Sequence, residues 1–302
     1  MTDSIHATIV LNDMERTREA AYGFRSWMLQ DTARSYEVVL NLFNEHASLF
    51  ESISAGRRPA CSVRILTYKP PRFFNISAAN NLGLAAAKGS YVLFANSDII
   101  YPSWFLRLFM DEILRRDLCY VLAARRNLSL EVTAALPPAG DLASVDDLAT
   151  SAGQTQGGYG SPWTVRRDVA LAIGGFDARI LCHEDAEFND RAIHYLRRKE
   201  LQTFIPAATD LCGYHLHHSA SELYSVSRQA KAIIEPRRER LFREPGSSED
   251  IVGTCFNDRE QLLKDLYDTE SPGTQAHAER LIGKLGRRLR GAAHYLVTGR
   301  VK

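Results

Sequence analysis

Short β-branched runs alternate with helical stretches between about residue 5 and residue 125, and that alternation most constrains the fold. Ala7–Leu11 (ATIVL), Tyr36–Leu42 (YEVVLNL), Ser62–Leu66, Tyr91–Ala95 (YVLFA) and Cys119–Ala124 read as strands. Between them fall Thr17–Gln30, with Ala21, Phe24 and Met28 at helical spacing, and a helix from an Asn44 cap to Ser54 before Gly56. Ser77 is read as the cap of Ala78–Ala87, closed by Lys88-Gly89, and Pro102 precedes Ser103–Arg116. Strands of near-continuous apolar residues separated by helices are buried on both faces, which predicts a Rossmann-like, mostly parallel sheet flanked by helices. Tyr91–Ala95 is the most apolar run and is expected at the centre.

The second part reads differently. Pro137–Gly160 is rich in Pro, Gly, Ala and Ser and is expected to be a long loop, either closing over a ligand or an inert insertion. A strand near Trp163–Val165, helices Val169–Ile173 and Ala186–Arg198, and strands around Thr203–Ile205 and Leu211–His217 follow. Beyond Ser221 the pattern is helical over 222–243, 258–267 and 274–296, so two units are expected, 1–220 and 221–302.

Apolar residues are 45% and charged residues 24% of the 302, with a net charge of +1, so composition points neither to nucleic acid nor to disorder. The five cysteines form no C-x-x-C pair, which favours reduced, buried thiols over a disulfide frame or a zinc site. No signal peptide and no span-length apolar run is read, so a cytoplasmic protein is expected, with peripheral contact at the inner face of the plasma membrane as the alternative.

Three clusters carry chemistry. Asn96-Ser97-Asp98 follows the most apolar strand, where α/β sheets gather ligands. The triplet suits a divalent-cation site bridging phosphates, or simply an Asx turn. His183-Glu184-Asp185-Ala186-Glu187 opens a helix, where carboxylates serve as catalytic groups or as caps favoured by the helix dipole. His215-Leu216-His217-His218 ends a strand, and alternation would put His215 and His217 on one face and His218 on the other.

Taken in order, these residues resemble the GT-A fold of family 2 glycosyltransferases across about residues 7–221. The similar segments are Phe74–Gly83 (FNISAANNLG) with Ala87–Tyr91 (AKGSY), Asn96-Ser97-Asp98 at the D-x-D position, Arg166-Arg167, Gly174-Gly175-Phe176-Asp177, Glu184-Asp185 and the histidine cluster. The resemblance implies a nucleotide-sugar-dependent, inverting enzyme of surface polysaccharide biosynthesis, using Mg²⁺ or Mn²⁺ and a glycan or lipid-linked glycan acceptor. It implies Asp185 as general base, Glu184 beside the acceptor, and Asp98 with His215 and His217 as metal ligands. Donor contacts are implied for Leu11, Asn12, Arg16, Asn41, Asn44, Asn80, Asn96, Ser97 and Asp98, and acceptor contacts for Trp163, Gly175 and Phe176. The chain departs from the family where an Asp commonly reads the nucleotide base: Asn41-Leu42-Phe43-Asn44 holds no acid, and UDP is only the default. Trp163 is equally readable as a sugar-stacking ring or a core residue.

Residues 275–302 carry seven Lys/Arg against one Glu, and Leu281, Leu285, Leu289, Ala292 and Leu296 recur at helical spacing. Such a helix lies on an anionic membrane or packs its stripe on protein, in the latter case within the chain or against a second subunit. A non-catalytic GT-A-like scaffold is the competing reading, prompted by Asn96 and the missing base-reading acid. Nucleotidyl transfer is disfavoured because Leu11–Arg18 has no glycine.

Overall fold

The computed structural model describes residues 6–13, 16–68, 75–150, 154–177, 184–204 and 211–218. Strands β1 (Ala7–Asn12), β2 (Tyr36–Phe43), β3 (Cys61–Tyr68) and β4 (Tyr91–Phe94) alternate with helices α1 (Thr17–Met28), α2 (Ala47–Ser54) and α3 (Ile76–Ala86). Then come β5 (Ile99–Ile100), α4 (Phe105–Arg115), β6 (Tyr120–Leu128), α5 (Leu130–Ala134), β7 (Gln154–Arg166), α6 (Arg167–Ala172), α7 (Glu184–Arg198), β8 (Thr203–Phe204) and β9 (Cys212–His215). They build one curled sheet in the order β3-β2-β1-β4-β7-β6-β9-β5, with β8 added on β6. The first four strands pair in parallel, as their apolar runs predict, while β7 lies antiparallel between β4 and β6.

Side-chain alternation divides the core into two layers. Ile9, Leu11, Val38, Leu40 and Leu93 pack on one face against Phe24 and Trp27 of α1, Phe50 of α2 and Phe105 of α4. Val10, Val92 and Phe94 face the other side, with Leu84 of α3, Val169 of α6 and Phe188 of α7. A third cluster joins Ile100, Leu142, Val145, Cys212 and Tyr214, so part of the expected 137–160 loop is packed.

Three expectations are corrected. Asn75, not Ser77, caps α3, its side chain accepting from the Ala78 amide at 2.9 Å. Asn44 opens a 3₁₀ turn (Asn44–His46), and α2 begins only at Ala47, with no side-chain cap. The strand expected near Trp163 begins at Gln154, nine residues earlier than Trp163, so a strand runs through the end of the supposed loop. Gly157, Gly158 and Gly160 weaken that strand's sequence signal, because glycine in a strand packs nothing and marks irregular pairing. The helices read over 222–296 lie outside the described residues, as do Cys182 and Cys255; Cys61, Cys119 and Cys212 are buried and outside any disulfide among the described residues.

The irregularity in β7 has a use. Leu122 pairs with Trp163 but Ala124 pairs with Tyr159, so β7 carries extra residues in a bulge that includes Ser161 and a cis Ser161–Pro162 bond. Buried Ser161 accepts from the Asn96 amide at 3.0 Å and meets the Tyr101 hydroxyl at 3.1 Å. The bulge thus braces the turn that carries Asp98.

Helix α1 supports that turn from the other side. A β-carbon on Gly23 would stand 2.1 Å from the Ser97 carbonyl oxygen, so only glycine lets α1 reach the backbone there. Gly23→Ala is expected to cost about 1–3 kcal/mol of overpacking strain and to shift the Asp98 turn, which thermal unfolding together with metal titration will register.

Candidate active site

The site is assembled at the carboxyl end of β4. After Phe94 the chain turns through Asn96, whose carbonyl accepts from the Ile99 amide at 3.3 Å, and leaves Ser97 and Asp98 buried. Antiparallel pairing of β5 with β9 sets Ile99 opposite His215, and the Leu216 amide donates to the Asp98 carbonyl at 2.9 Å. Backbone pairing therefore fixes the histidines beside the carboxylate.

Asp98 Oδ2 lies 3.0 Å from His218 Nε2 and 3.6 Å from His215 Nε2, and the two imidazole nitrogens are 3.3 Å apart. Arg16, at the N-terminal boundary of α1, donates from Nη1 to Asp98 Oδ2 at 2.7 Å and stands 2.8 Å from His218 Nε2. Burial works to raise the Asp98 pKa; hydrogen bonds and charge from His215 and His218 overcome it and hold the carboxyl well below the usual carboxylate range. The group is ionised throughout physiological pH.

His217, expected to ligate with His215, turns out to be exposed, its amide donating to Thr133 Oγ1 at 3.0 Å, and His218 takes its place. The strand rule fails because β9 ends at His215; the next three residues turn, bringing position 218 back beside 215.

The residues can hold a divalent ion. Asp98, His215 and His218 offer ligand atoms all within 4.8 Å of one another. Ligands about 2.1 Å from one ion lie about 3.0 Å apart at right angles and about 3.4 Å at tetrahedral angles. The observed separations of 3.0, 3.3 and 3.6 Å match that spacing. Asp98 Oδ1 is moreover buried without a hydrogen-bond partner among the described residues.

Of the residues expected at the donor, Asn12, Asn41 and Asn80 form a second cluster, while Arg16, Asn96, Ser97 and Asp98 belong to the first. Leu11 is a core residue of β1 and fully buried. Asn12 donates to Asn80 Oδ1 at 2.7 Å, while Asn41 donates both to Asn12 Oδ1 at 2.7 Å and to the Ala79 carbonyl at 2.8 Å. Three amides from β1, β2 and α3 thus satisfy one another in the interior, and Asn41 Oδ1 is left buried without a hydrogen-bond partner among the described residues. Beside them the buried Asp13 carboxylate binds His46 Nδ1 in a short contact, with Thr17 Oγ1 3.3 Å from the same nitrogen. Sequence reasoning missed this pair, whose members are 33 positions apart.

The third cluster surrounds α7. Gly174 and Gly175 have φ of +80° and +65°, left-handed values that suit glycine and end α6. Asn81 of α3 grips the turn that follows, donating to the Phe176 carbonyl and accepting its amide, both at 2.8 Å. The Phe176 ring stacks on Phe188 at 4.2 Å and meets Phe94 edge-on at 4.9 Å, and Trp163, 9% exposed, packs in the same core. Phe188 also approaches Phe94, the last residue of β4, at 5.8 Å. One turn earlier, Glu184 and Asp185 begin α7, with Asp185 Oδ1 accepting from the Ala186 amide at 2.7 Å. The ring contacts thereby seat the helix that carries both carboxylates against the end of the strand that leads to Asp98.

Arg191, unread in the sequence, locks this arrangement. It pairs with Glu187 and donates to the carbonyls of Ile173 and Gly175, the latter at 2.7 Å. The Glu187/Arg191 spacing of four was its signal. Arg191→Ala would leave a largely buried carboxylate and two carbonyls without partners, for an expected loss of about 3 kcal/mol in chemical denaturation.

The curled, mostly parallel sheet extended by antiparallel strands and flanked by helices is a glycosyltransferase-like GT-A fold, as its likeness to solved structures shows. The structure superposes on S. aureus TarS residues 1–349 in complex with UDP-GlcNAc with a TM-score of 0.51 and 13% identity, covering 93% of this chain and 80% of that one. It also superposes on the mannosyltransferase PcManGT from Pyrobaculum calidifontis, in complex with GDP-Man and Mn²⁺, with a TM-score of 0.50 and 13% identity, covering 98% of this chain and 81% of that one. Against a longer TarS chain the TM-score is 0.50 at 14% identity, and this protein spans 43% of that chain's length. No protein-family profile and no curated protein sequence matches the chain. Among the described residues no helix is long and apolar enough to cross a membrane.

Proposed function

We propose that the protein is a metal-dependent, inverting glycosyltransferase that moves a sugar from a nucleoside diphosphate to a hydroxyl of a glycan or lipid-linked glycan. The observation that carries this reading is the convergence of Asp98, His215 and His218 at the carboxyl end of β4, within a fold held in common with proteins that bind UDP-GlcNAc and GDP-Man. Asp98, His215 and His218 would hold the cation, and a carboxylate with two imidazoles favours Mn²⁺ over Mg²⁺, which prefers an all-oxygen shell. Such an ion neutralises charge that builds on a departing diphosphate.

The remaining roles fall to the chain's own groups. Asp185 takes the proton of the acceptor hydroxyl as that oxygen attacks the anomeric carbon from the side opposite the diphosphate, and configuration inverts. Glu184 orients the acceptor. Asn41 has committed both amide hydrogens to Asn12 and Ala79, so its free capacity is Oδ1.

The reading is tested by thermal unfolding with UDP-, GDP- and dTDP-sugars, with and without Mn²⁺. One nucleotide class, at about 100 times its Kd, is expected to stabilise the protein by about 2.7 kcal/mol only when Mn²⁺ is present. A flat response to every donor overturns it.

A further inference from the structure

The cation position beside Asp98 already faces a charged group. Arg16 Nη1 sits 2.7 Å from Asp98 Oδ2, to which it donates, and 2.8 Å from His218 Nε2, so one guanidinium stands against two of the three atoms that would ligate a metal. The Arg16 side chain is only 14% exposed, and its Nε is buried without a hydrogen-bond partner among the described residues. It is thus held at the site yet incompletely satisfied there. Its backbone marks the start of α1, in the connection that leaves the carboxyl end of β1, and β1 runs parallel to β4, which leads to Asp98.

Electrostatics makes these positions exclusive. A guanidinium and a divalent ion cannot both lie within bonding distance of Asp98 Oδ2 and His218 Nε2, since like charges at such separation in a buried site repel strongly. Planar guanidinium forks match phosphate as well as carboxylate. A diphosphate arriving with its metal therefore supplies both the competitor that displaces Arg16 and a new partner for it.

We infer that Arg16 is the resident counter-ion of the empty site, holding Asp98 and His218 in place until metal and nucleoside diphosphate arrive together, then passing to the diphosphate. This rests on the metal-dependent reading above. Arg16 consequently opposes free metal and favours the metal–nucleotide complex, two effects of opposite sign from one residue. A purely structural role would move both affinities in the same direction.

The test uses the full chain, with Mn²⁺ binding followed by calorimetry and by the electron paramagnetic resonance of the free ion. Wild type, Arg16→Gln, Arg16→Lys and Asp98→Asn are compared, alone and with UDP or GDP. Without nucleotide, Arg16→Gln is expected to bind Mn²⁺ about tenfold more tightly than wild type, about 1.4 kcal/mol of coupling. With saturating Mn²⁺ it is expected to bind the nucleoside diphosphate about tenfold more weakly. Arg16→Lys keeps the charge and loses the fork, so it should match wild type for free Mn²⁺ and bind the nucleoside diphosphate more weakly, which keeps the proposal testable if the glutamine variant folds poorly. Unchanged or weaker Mn²⁺ binding by Arg16→Gln, with binding still lost in Asp98→Asn, overturns the role of Arg16 and leaves the metal site standing. Mn²⁺ binding indifferent to Asp98→Asn removes the site itself.

Discussion

Asp98→Asn is expected to abolish Mn²⁺ binding and to lower sugar transfer by about 10³-fold or more, roughly 4 kcal/mol of transition-state stabilisation. An amide keeps the shape of the side chain, and the backbone bonds from Ile99 to Asn96 and from Leu216 to residue 98 are untouched, so loss of activity reports charge and not collapse. Stability should fall as well, because Arg16, His215 and His218 lose the anion they surround. The sign of the pH dependence follows. A carboxyl whose folded pKa is depressed contributes stability that is complete above the ordinary carboxylate range and is lost as pH falls through the depressed value. The gap between wild type and variant in denaturant titrations should therefore narrow as pH falls below the ordinary carboxylate range. Transfer within tenfold of wild type would remove Asp98 from the chemistry.

Asp185→Asn should leave nucleotide and Mn²⁺ affinity intact while kcat falls by about 10²–10⁴, the usual worth of a positioned general base. The asparagine carbonyl can still accept from the Ala186 amide. The cost to folding is expected below about 1 kcal/mol, the scale of a lost charge at a helix N-terminus. Donor calorimetry alongside initial rates separates the two: a loss of donor affinity equal to the loss in rate would make Asp185 a binding group. Glu184→Gln should act on KM for the acceptor more than on kcat.

Legibility from the sequence followed burial. The strand runs at Ala7, Tyr36 and Tyr91 were readable to within a residue because both their faces are buried, which writes an unbroken apolar run. The start of β7 was hidden because a glycine-rich strand with a bulge has neither alternation nor propensity, although its neighbours β4 and β6 supply the pairing. His218 was misplaced by extending a two-residue period beyond the last paired residue, His215. Arg191 was unreadable as a buried group because a charged residue on a helix ordinarily faces water, and only tertiary contact with Ile173 and Gly175 turns it inward. The mutual bonding of Asn12, Asn41 and Asn80 could not be foreseen, since each amide, taken singly, is equally a ligand contact.

The hydroxyl of Ser161 answers to two masters. One lone pair receives the Asn96 amide, and what remains, a proton and a second lone pair, meets the phenol of Tyr101. Alanine at that position would remove the partner of both groups, while a bulkier alcohol would need room that the complete burial of Ser161 denies. A single oxygen on the seventh strand thus sets the permitted vocabulary of its position to one letter, and ties the loop after the fourth strand to the chain that follows the fifth.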